Sequence, residues 1–276
     1  MRSLIGSLFA IGDMIGEYMH MDQALPGRHT VTENSTDMRV SVVIPVRDEA
    51  LSIPSLTEGL TSALADWAPF EIIYVDDGSI DDSPMVLKEL CRQPPIRAIR
   101  HAAPAGQSAA IRTGVLAARA AIIVTLDGDG QNDPLDIPGL LEALLSADQP
   151  RIGLVQGERT GRKDTPWKRL TSRLANGVRR TMLRDGARDS GCGLRAFPRQ
   201  TYLALPFFDH LHRFMPALVL REGYEVIFLP VSHHPRQAGS SHYGTLDRLF
   251  AGFADLIGVW WLRRRRTLPD PEELDE

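Results

Sequence analysis

The sequence predicts an α/β protein, with a mostly parallel sheet covered by helices on both faces. Three observations lead there. Short β-branched runs alternate with segments of helical period, which requires helical crossovers between parallel strands. The chain has 276 residues, enough for one large α/β domain or two small ones. Its composition, 43% hydrophobic and 24% charged, is that of a globular protein and argues against wholesale disorder.

Residues 1–37 form an N-terminal extension in which an amphipathic helix is expected, closed by a polar linker over 30–37. Glycines and Asp13 interrupt its apolar stretch, so it lacks the continuous core of a signal peptide. The first strand follows at 40–44 and is closed by Pro45. A helical period runs over 51–67, a second strand over 71–75 and a helix over 83–91. A short strand at 96–100, a helix at 108–119, a strand at 121–126, a helix at 138–146 and a strand at 152–156 complete the alternation.

In such sheets ligands bind beyond the carboxyl ends of the strands. Three strands end in polar loops, 45–49, 76–79 and 127–133, and all three are expected to open onto one edge. Asp127-Gly128-Asp129-Gly130-Gln131 offers two carboxylates and an amide oxygen at alternate positions. On an extended loop these would meet one hard cation, Mg²⁺ or Mn²⁺, with positions left for phosphate oxygens; a plain Asp/Gly turn is the alternative. A calcium loop is excluded, because Asn132 and Pro138 stand where that motif needs Gly and Glu. Asp76-Asp77-Gly78-Ser79 reads equally as a turn with a helix cap or as part of a binding site. Neither a dinucleotide fingerprint nor a P-loop follows the first strand.

Other function classes fall away on charge and cysteine count. A net charge of −4 gives no reason to expect a nucleic-acid partner. Cys91 and Cys192 cannot build a disulfide framework or a four-ligand zinc site, so a reducing cytoplasm is expected. The longest nearly apolar run, 249–262, would reach about 21 Å at about 1.5 Å per residue, short of a hydrocarbon core of about 30 Å. Its apolar residues recur at helical spacing and run into Arg263 to Arg266, as suits a helix lying in a membrane interface, with a core or dimer-contact helix as the alternative. Residues 159–184 carry nine basic side chains against Asp164, which fits either a lipid-facing basic surface or a solvated helix.

Taken together, Val43-Ile44-Pro45-Val46-Arg47-Asp48-Glu49, Val75-Asp76-Asp77-Gly78-Ser79 and Asp127-Gly128-Asp129-Gly130-Gln131-Asn132-Asp133-Pro134 resemble glycosyltransferase family 2, whose members have the GT-A fold. The resemblance runs from about residue 40 to 262. It implies that Pro45 and Glu49 line a nucleoside pocket, that Asp76 or Asp77 contacts base or ribose, and that Asp127, Asp129 and Gln131 bind metal and diphosphate. Asp189-Ser190-Gly191-Cys192-Gly193-Leu194-Arg195, His212-Arg213-Phe214 and the stretch from Val231 to Gly244 look like polyprenyl-phosphate sugar synthases of the dolichol-phosphate mannosyltransferase type. That likeness implies an inverting transfer from a GDP- or UDP-linked sugar to a polyprenyl monophosphate at the cytoplasmic membrane face. Expected partners are therefore the nucleotide-sugar donor, the lipid-phosphate acceptor and the membrane surface, with a homo-oligomer or a membrane-protein partner left open.

The acceptor class has a chemical consequence. A sugar hydroxyl needs a base as it attacks, whereas a lipid phosphate is already ionised and needs cations to hold it. Arg213 and Arg236 could grip phosphate oxygens in bidentate fashion. His242 is charged only in part near pH 7 and stands where relatives usually carry Lys. Asp189 is the candidate for a base or for orienting the acceptor. The expected organisation is thus an extension (1–37), the transferase domain (38–235), an acceptor loop with an interfacial helix (236–262), and a basic cluster with an acidic tail (263–276).

Overall fold

The computed structural model describes residues 38–146, 151–160, 177, 179–235 and 245–266. The N-terminal extension, most of the basic stretch, the acceptor loop and the acidic tail lie outside the described residues. Seven strands form one sheet: β1 (Val40–Val46), β2 (Phe70–Asp76), β3 (Ile96–Arg100), β4 (Ile122–Thr125), β5 (Ile152–Arg159), β6 (Arg195–Pro198) and β7 (Glu225–Val231). Their order is β3-β2-β1-β4-β6-β5-β7. Only β6 among them runs antiparallel, to both β4 and β5. All six parallel strands therefore point their carboxyl ends at one edge, and the chain entering β6 starts from that same edge.

Helices fill the two faces: α1 (Ile53–Ala63), α2 (Ser83–Leu90), α3 (Gln107–Ala117), α4 (Ile137–Leu144), α5 (Arg199–Leu203), α6 (Met215–Arg221) and α7 (Thr245–Arg264). Alternation along the strands divides the core. Val42, Ile44, Ile72 and Tyr74 pack with α1, α2 and α4 on one face. Val43, Ile73 and Val75 pack with α3, α5, α6 and α7 on the other. Burial on both faces is why these strands read as continuous apolar runs. The first helical period is shorter than its sequence pattern, because Pro54 sets the start of α1 and a 3₁₀ turn at Ala65–Trp67 replaces its end. Strands β6 and β7 went unassigned in the sequence because turn-rich or proline-containing segments flank and interrupt them.

A buried carboxylate ties the amino ends of the strands together. Glu71 Oε1 accepts from Ser41 Oγ and from the Arg119 amide, each at 2.7 Å, and Oε2 pairs with Arg97 Nη1 at 2.5 Å. Removing one partner leaves the others desolvated and unsatisfied. Glu71→Ala is expected to cost about 3 kcal/mol of stability. Urea unfolding reads this directly, as a lower midpoint at unchanged slope.

Candidate active site

The loops after β1 and β2 are stitched into one rim. The Asp48 amide donates to Ser79 Oγ (2.9 Å), the Ile80 amide to Asp48 Oδ1 (2.8 Å) and the Glu49 amide to Ser83 Oγ (3.0 Å). Pro45 and Glu49 are half-buried on this rim. Asp76, the last residue of β2, is buried. Its Oδ1 accepts from the Ser79 amide at 2.9 Å, and its Oδ2 is ion-paired with Arg100 Nε at 3.2 Å without hydrogen-bond alignment. Asp77 is engaged internally. It receives the Ala105 and Gly106 amides at 2.8 Å each and lies 2.8 Å from His101 Nδ1. Burial alone would raise its pKa, but these donors outweigh it and hold the carboxyl below its ordinary value. Asp77 thereby fixes where α3 begins.

That start matters, because Gln107, the first residue of α3, donates from Nε2 to Asp127 Oδ1 at 2.8 Å. The acidic loop after β4 is a turn over 128–130 rather than the extended segment expected from the alternation of its carboxylates. Gly130 takes a φ of +71° there, and Gly128 packs so closely that a Cβ on it would lie 2.5 Å from Val46 Cγ1. The carboxylates nevertheless interact. The Asp127 carboxyl is pushed up to about 6, first by desolvation and then by the charge of Asp129, against the opposing pull of Arg195 and Arg159.

Gln131 donates from Nε2 to the His234 carbonyl at 3.3 Å, which leaves its Oε1 as the acceptor for another group. A bridge between Asn132 and His233, and the His234 amide donating to Gln131 O at 2.9 Å, zip this loop to the chain leaving β7. His234 Nε2 lies 3.1 Å from Asp133 Oδ2, and the Ser232 amide donates to Asp136 Oδ2 at 2.7 Å.

Cationic groups face the acidic loop from the other half. Arg159, at the end of β5, grips Asp189 through both nitrogens, Nε at 2.5 Å and Nη2 at 2.7 Å. Arg195, at the start of β6, is fully buried and bonded to Gln156 Oε1 at 3.1 Å. Arg213 lies in a 3₁₀ turn, Leu211–Arg213, docked on the start of α3 by a 2.7 Å bond between His212 Nδ1 and Ser108 Oγ. Burial, with Arg195 and Arg213 nearby, holds the His212 imidazole well below its ordinary pKa, so it is neutral at physiological pH. Arg236 and His242 lie outside the described residues.

The sequence-predicted residues Pro45, Glu49, Asp76, Asp77, Asp127, Asp129, Gln131, Asp189 and Arg213 therefore come from strand ends, turns and loops at one sheet edge. Gln107, Arg195 and Gly193 join them with no individual role foreseen, and Arg159, expected on a basic surface, is instead turned in to Asp189. Gln107 had one signal, its place at the start of the helix leaving that edge. A divalent cation fits the acidic loop, because two mutually repelling carboxylates and an amide are hard oxygen donors. No three His, Cys, Asp or Glu side chains converge among the described residues. Water or diphosphate oxygens would complete the shell, as Mg²⁺ commonly requires.

Residues 41–204 match the family model for glycosyl transferase family 2. The chain belongs to glycosyltransferase family 2. It is a glycosyltransferase related to polyprenyl-phosphate sugar transferases. Dodecaprenyl-phosphate galacturonate synthase of Rhizobium johnstonii is 30% identical over 84% of this chain and 69% of that protein. Undecaprenyl-phosphate 4-deoxy-4-formamido-L-arabinose transferase of Edwardsiella ictaluri is 35% identical over 79% of this chain and 66% of that protein. The family 2 chain thus spans about two thirds of the length of these curated relatives. Among solved structures, glucosyl-3-phosphoglycerate synthase from Mycobacterium tuberculosis, in complex with Mn²⁺, UDP and phosphoglyceric acid, superposes with a TM-score of 0.62 at 22% identity, covering 84% of this chain and 80% of that one. That likeness establishes the GT-A-like fold of the family 2 domain.

Proposed function

We propose that this chain transfers a sugar, with inversion, from a GDP- or UDP-linked donor to a polyprenyl monophosphate at the cytoplasmic face of a membrane. The observation that carries the reading is the meeting of an acidic pair, Asp127 and Asp129, with guanidinium groups from the second half at one sheet edge. The names of the relatives, which act on dodecaprenyl and undecaprenyl phosphates, support the acceptor class. Asp127, Asp129 and Gln131 hold Mg²⁺ or Mn²⁺, which supplies charge stabilisation to the departing diphosphate. Pro45 and Glu49 line the nucleoside side, and Asp76 and Asp77 hold the rim on which base and ribose rest.

Asp189 orients rather than abstracts a proton. A carboxylate held by both nitrogens of Arg159 is a poor base, and a phosphate acceptor needs none. It instead holds Arg159 toward the acceptor side, where Arg213, Arg236 and His242 join it in binding the lipid phosphate. Arg195 stays inside the protein and offsets the charge of Asp127. Incubation with Mn²⁺, undecaprenyl phosphate and a panel of UDP- and GDP-sugars is expected to give a lipid-linked monosaccharide. Turnover with a glycan or lipid-linked saccharide, and none with undecaprenyl phosphate, would replace this reading with transfer to a sugar hydroxyl.

A further inference from the structure

The segment leading into β6 touches both halves of the site. At its start the Asp189 carboxylate grips Arg159, and near its end Gly193 lies against the Asp127 carboxylate. The end beside Asp127 is tied twice to the sheet. The Gly193 carbonyl accepts from Thr125 Oγ1 at 3.0 Å, and the Leu194 carbonyl from the Gly157 amide at 2.9 Å. Asp189 lies outside any strand, and a side chain holds its backbone. The Asp189 carbonyl accepts from Gln156 Nε2 at 2.9 Å, and from the Cys192 amide at a longer 3.4 Å.

Gln156 is a fully buried polar residue in the middle of β5. It stands opposite Arg195 in the antiparallel pairing of β5 with β6, so the two side chains share one face of the sheet. Its Oε1 accepts from Arg195 Nε at 3.1 Å, and Arg195 Nη2 goes on to the Ser190 carbonyl at 3.3 Å. Both ends of the amide are therefore in use, one as acceptor and one as donor. A hydrocarbon at this position would leave buried groups short of a partner at both ends. An ionised carboxylate would serve Arg195 but has no proton for the Asp189 carbonyl. An amide of this length does both.

We propose that Gln156 is a positioning residue for the acceptor phosphate: its amide fixes the Asp189 backbone, and Asp189 in turn fixes where Arg159 stands. This rests on the transfer to a lipid monophosphate put forward above. The carboxylate and guanidinium meet at two points, so a shift of Asp189 is carried to Arg159 rather than absorbed between them. Small displacements matter at such a place, because a group that is about 1 Å out of position commonly costs about 100-fold. The Thr125 and Gly157 ties remain when Gln156 is replaced. Loss of the amide therefore moves the acceptor cation and leaves Gly193 against Asp127, which separates acceptor binding from donor binding.

The test is steady-state turnover of the full chain with undecaprenyl phosphate as the varied substrate, beside calorimetry of the donor with Mn²⁺. Gln156→Met should raise the KM for undecaprenyl phosphate about tenfold, the scale of one misaligned charge-assisted hydrogen bond, and change donor affinity less than about twofold. Gln156→Glu restores a partner to Arg195 but not to the Asp189 carbonyl, and should raise that KM as much. In an Arg159→Ala background the further change from Gln156→Met should be less than about twofold, because both act through one group. A purely structural role would lower the folded fraction, and hence kcat, at unchanged KM. That result overturns the proposal, as does loss of the folded circular dichroism in both variants. Return of the parent KM in Gln156→Glu, or effects of Gln156→Met and Arg159→Ala that multiply, overturns it too. A parent that turns over a glycan acceptor in place of the lipid phosphate defeats the proposed function itself. An active parent whose acceptor KM ignores Gln156→Met defeats this inference alone.

Discussion

Asp129→Ala is expected to abolish metal-dependent donor binding and to lower turnover by at least about 100- to 1,000-fold, the usual cost of losing a group that stabilises transition-state charge. The effect is large because the loop has few alternatives. Asp127 and Asp129 repel one another, and Asp129 gives one oxygen to the Gln131 amide at 3.2 Å, whereas Asp133 and Asp136 are held by backbone amides and His234 away from that pair. Arg236→Ala should spare donor affinity and weaken the lipid acceptor, separating the two halves of the site. The same binding measurement carries a pH signature. The Asp127 carboxyl is pushed up to about 6, so a cation must displace a proton below that pH. Mn²⁺ affinity should therefore fall about tenfold per pH unit below about 6. Metal-free protein should behave oppositely. A raised carboxyl binds its proton more tightly folded than unfolded, so stability is greatest below the ordinary value of 3.8 and declines as pH rises through about 6.

Gly193→Ala should be nearly as damaging, at a position that carries no functional group. A Cβ there would stand 2.4 Å from both the Cγ and Oδ1 of Asp127 and 2.5 Å from Oδ2. The carboxylate lies flat against the glycine and must leave its rotamer to admit a methyl. Gln107 cannot follow it without shifting the start of α3, which Asp77 holds through the Ala105 and Gly106 amides. Displacing a charge-stabilising group by about 1 Å commonly costs about 100-fold in rate. Donor-dependent turnover should fall by about that factor while thermal unfolding moves by only a few degrees. An equal collapse of both would mean that Gly193 serves the fold and not the carboxylate.

Much of this architecture was legible in the chain. Strands β1, β2 and β4 are rich in β-branched residues because both sheet faces are covered, and the polar loops stand out against them. Convergence of those loops follows from parallel strands alone. What the sequence hid depends on long-range contact. Asp77 looks like a ligand or a cap, and becomes a clamp only when the loop 101–106 folds over it. Gln107 meets Asp127 across 20 residues, and Arg195 looks like the end of a glycine-rich motif until β6 inserts antiparallel between β4 and β5. The acidic loop carried alternate carboxylates, which suit an extended segment, but Gly130 adopts a φ of +71° and the loop is the Asp/Gly turn that the sequence offered as the alternative.

Titration calorimetry of the full chain with UDP- and GDP-sugars, in the presence and absence of Mn²⁺, tests the central claim most directly. One nucleotide sugar should bind when Mn²⁺ is present and cease to bind when the metal is withdrawn or Asp129 is replaced by Ala. Donor binding of equal strength without metal and in Asp129→Ala, or no binding to any member of the panel, would contradict the assignment of the acidic loop.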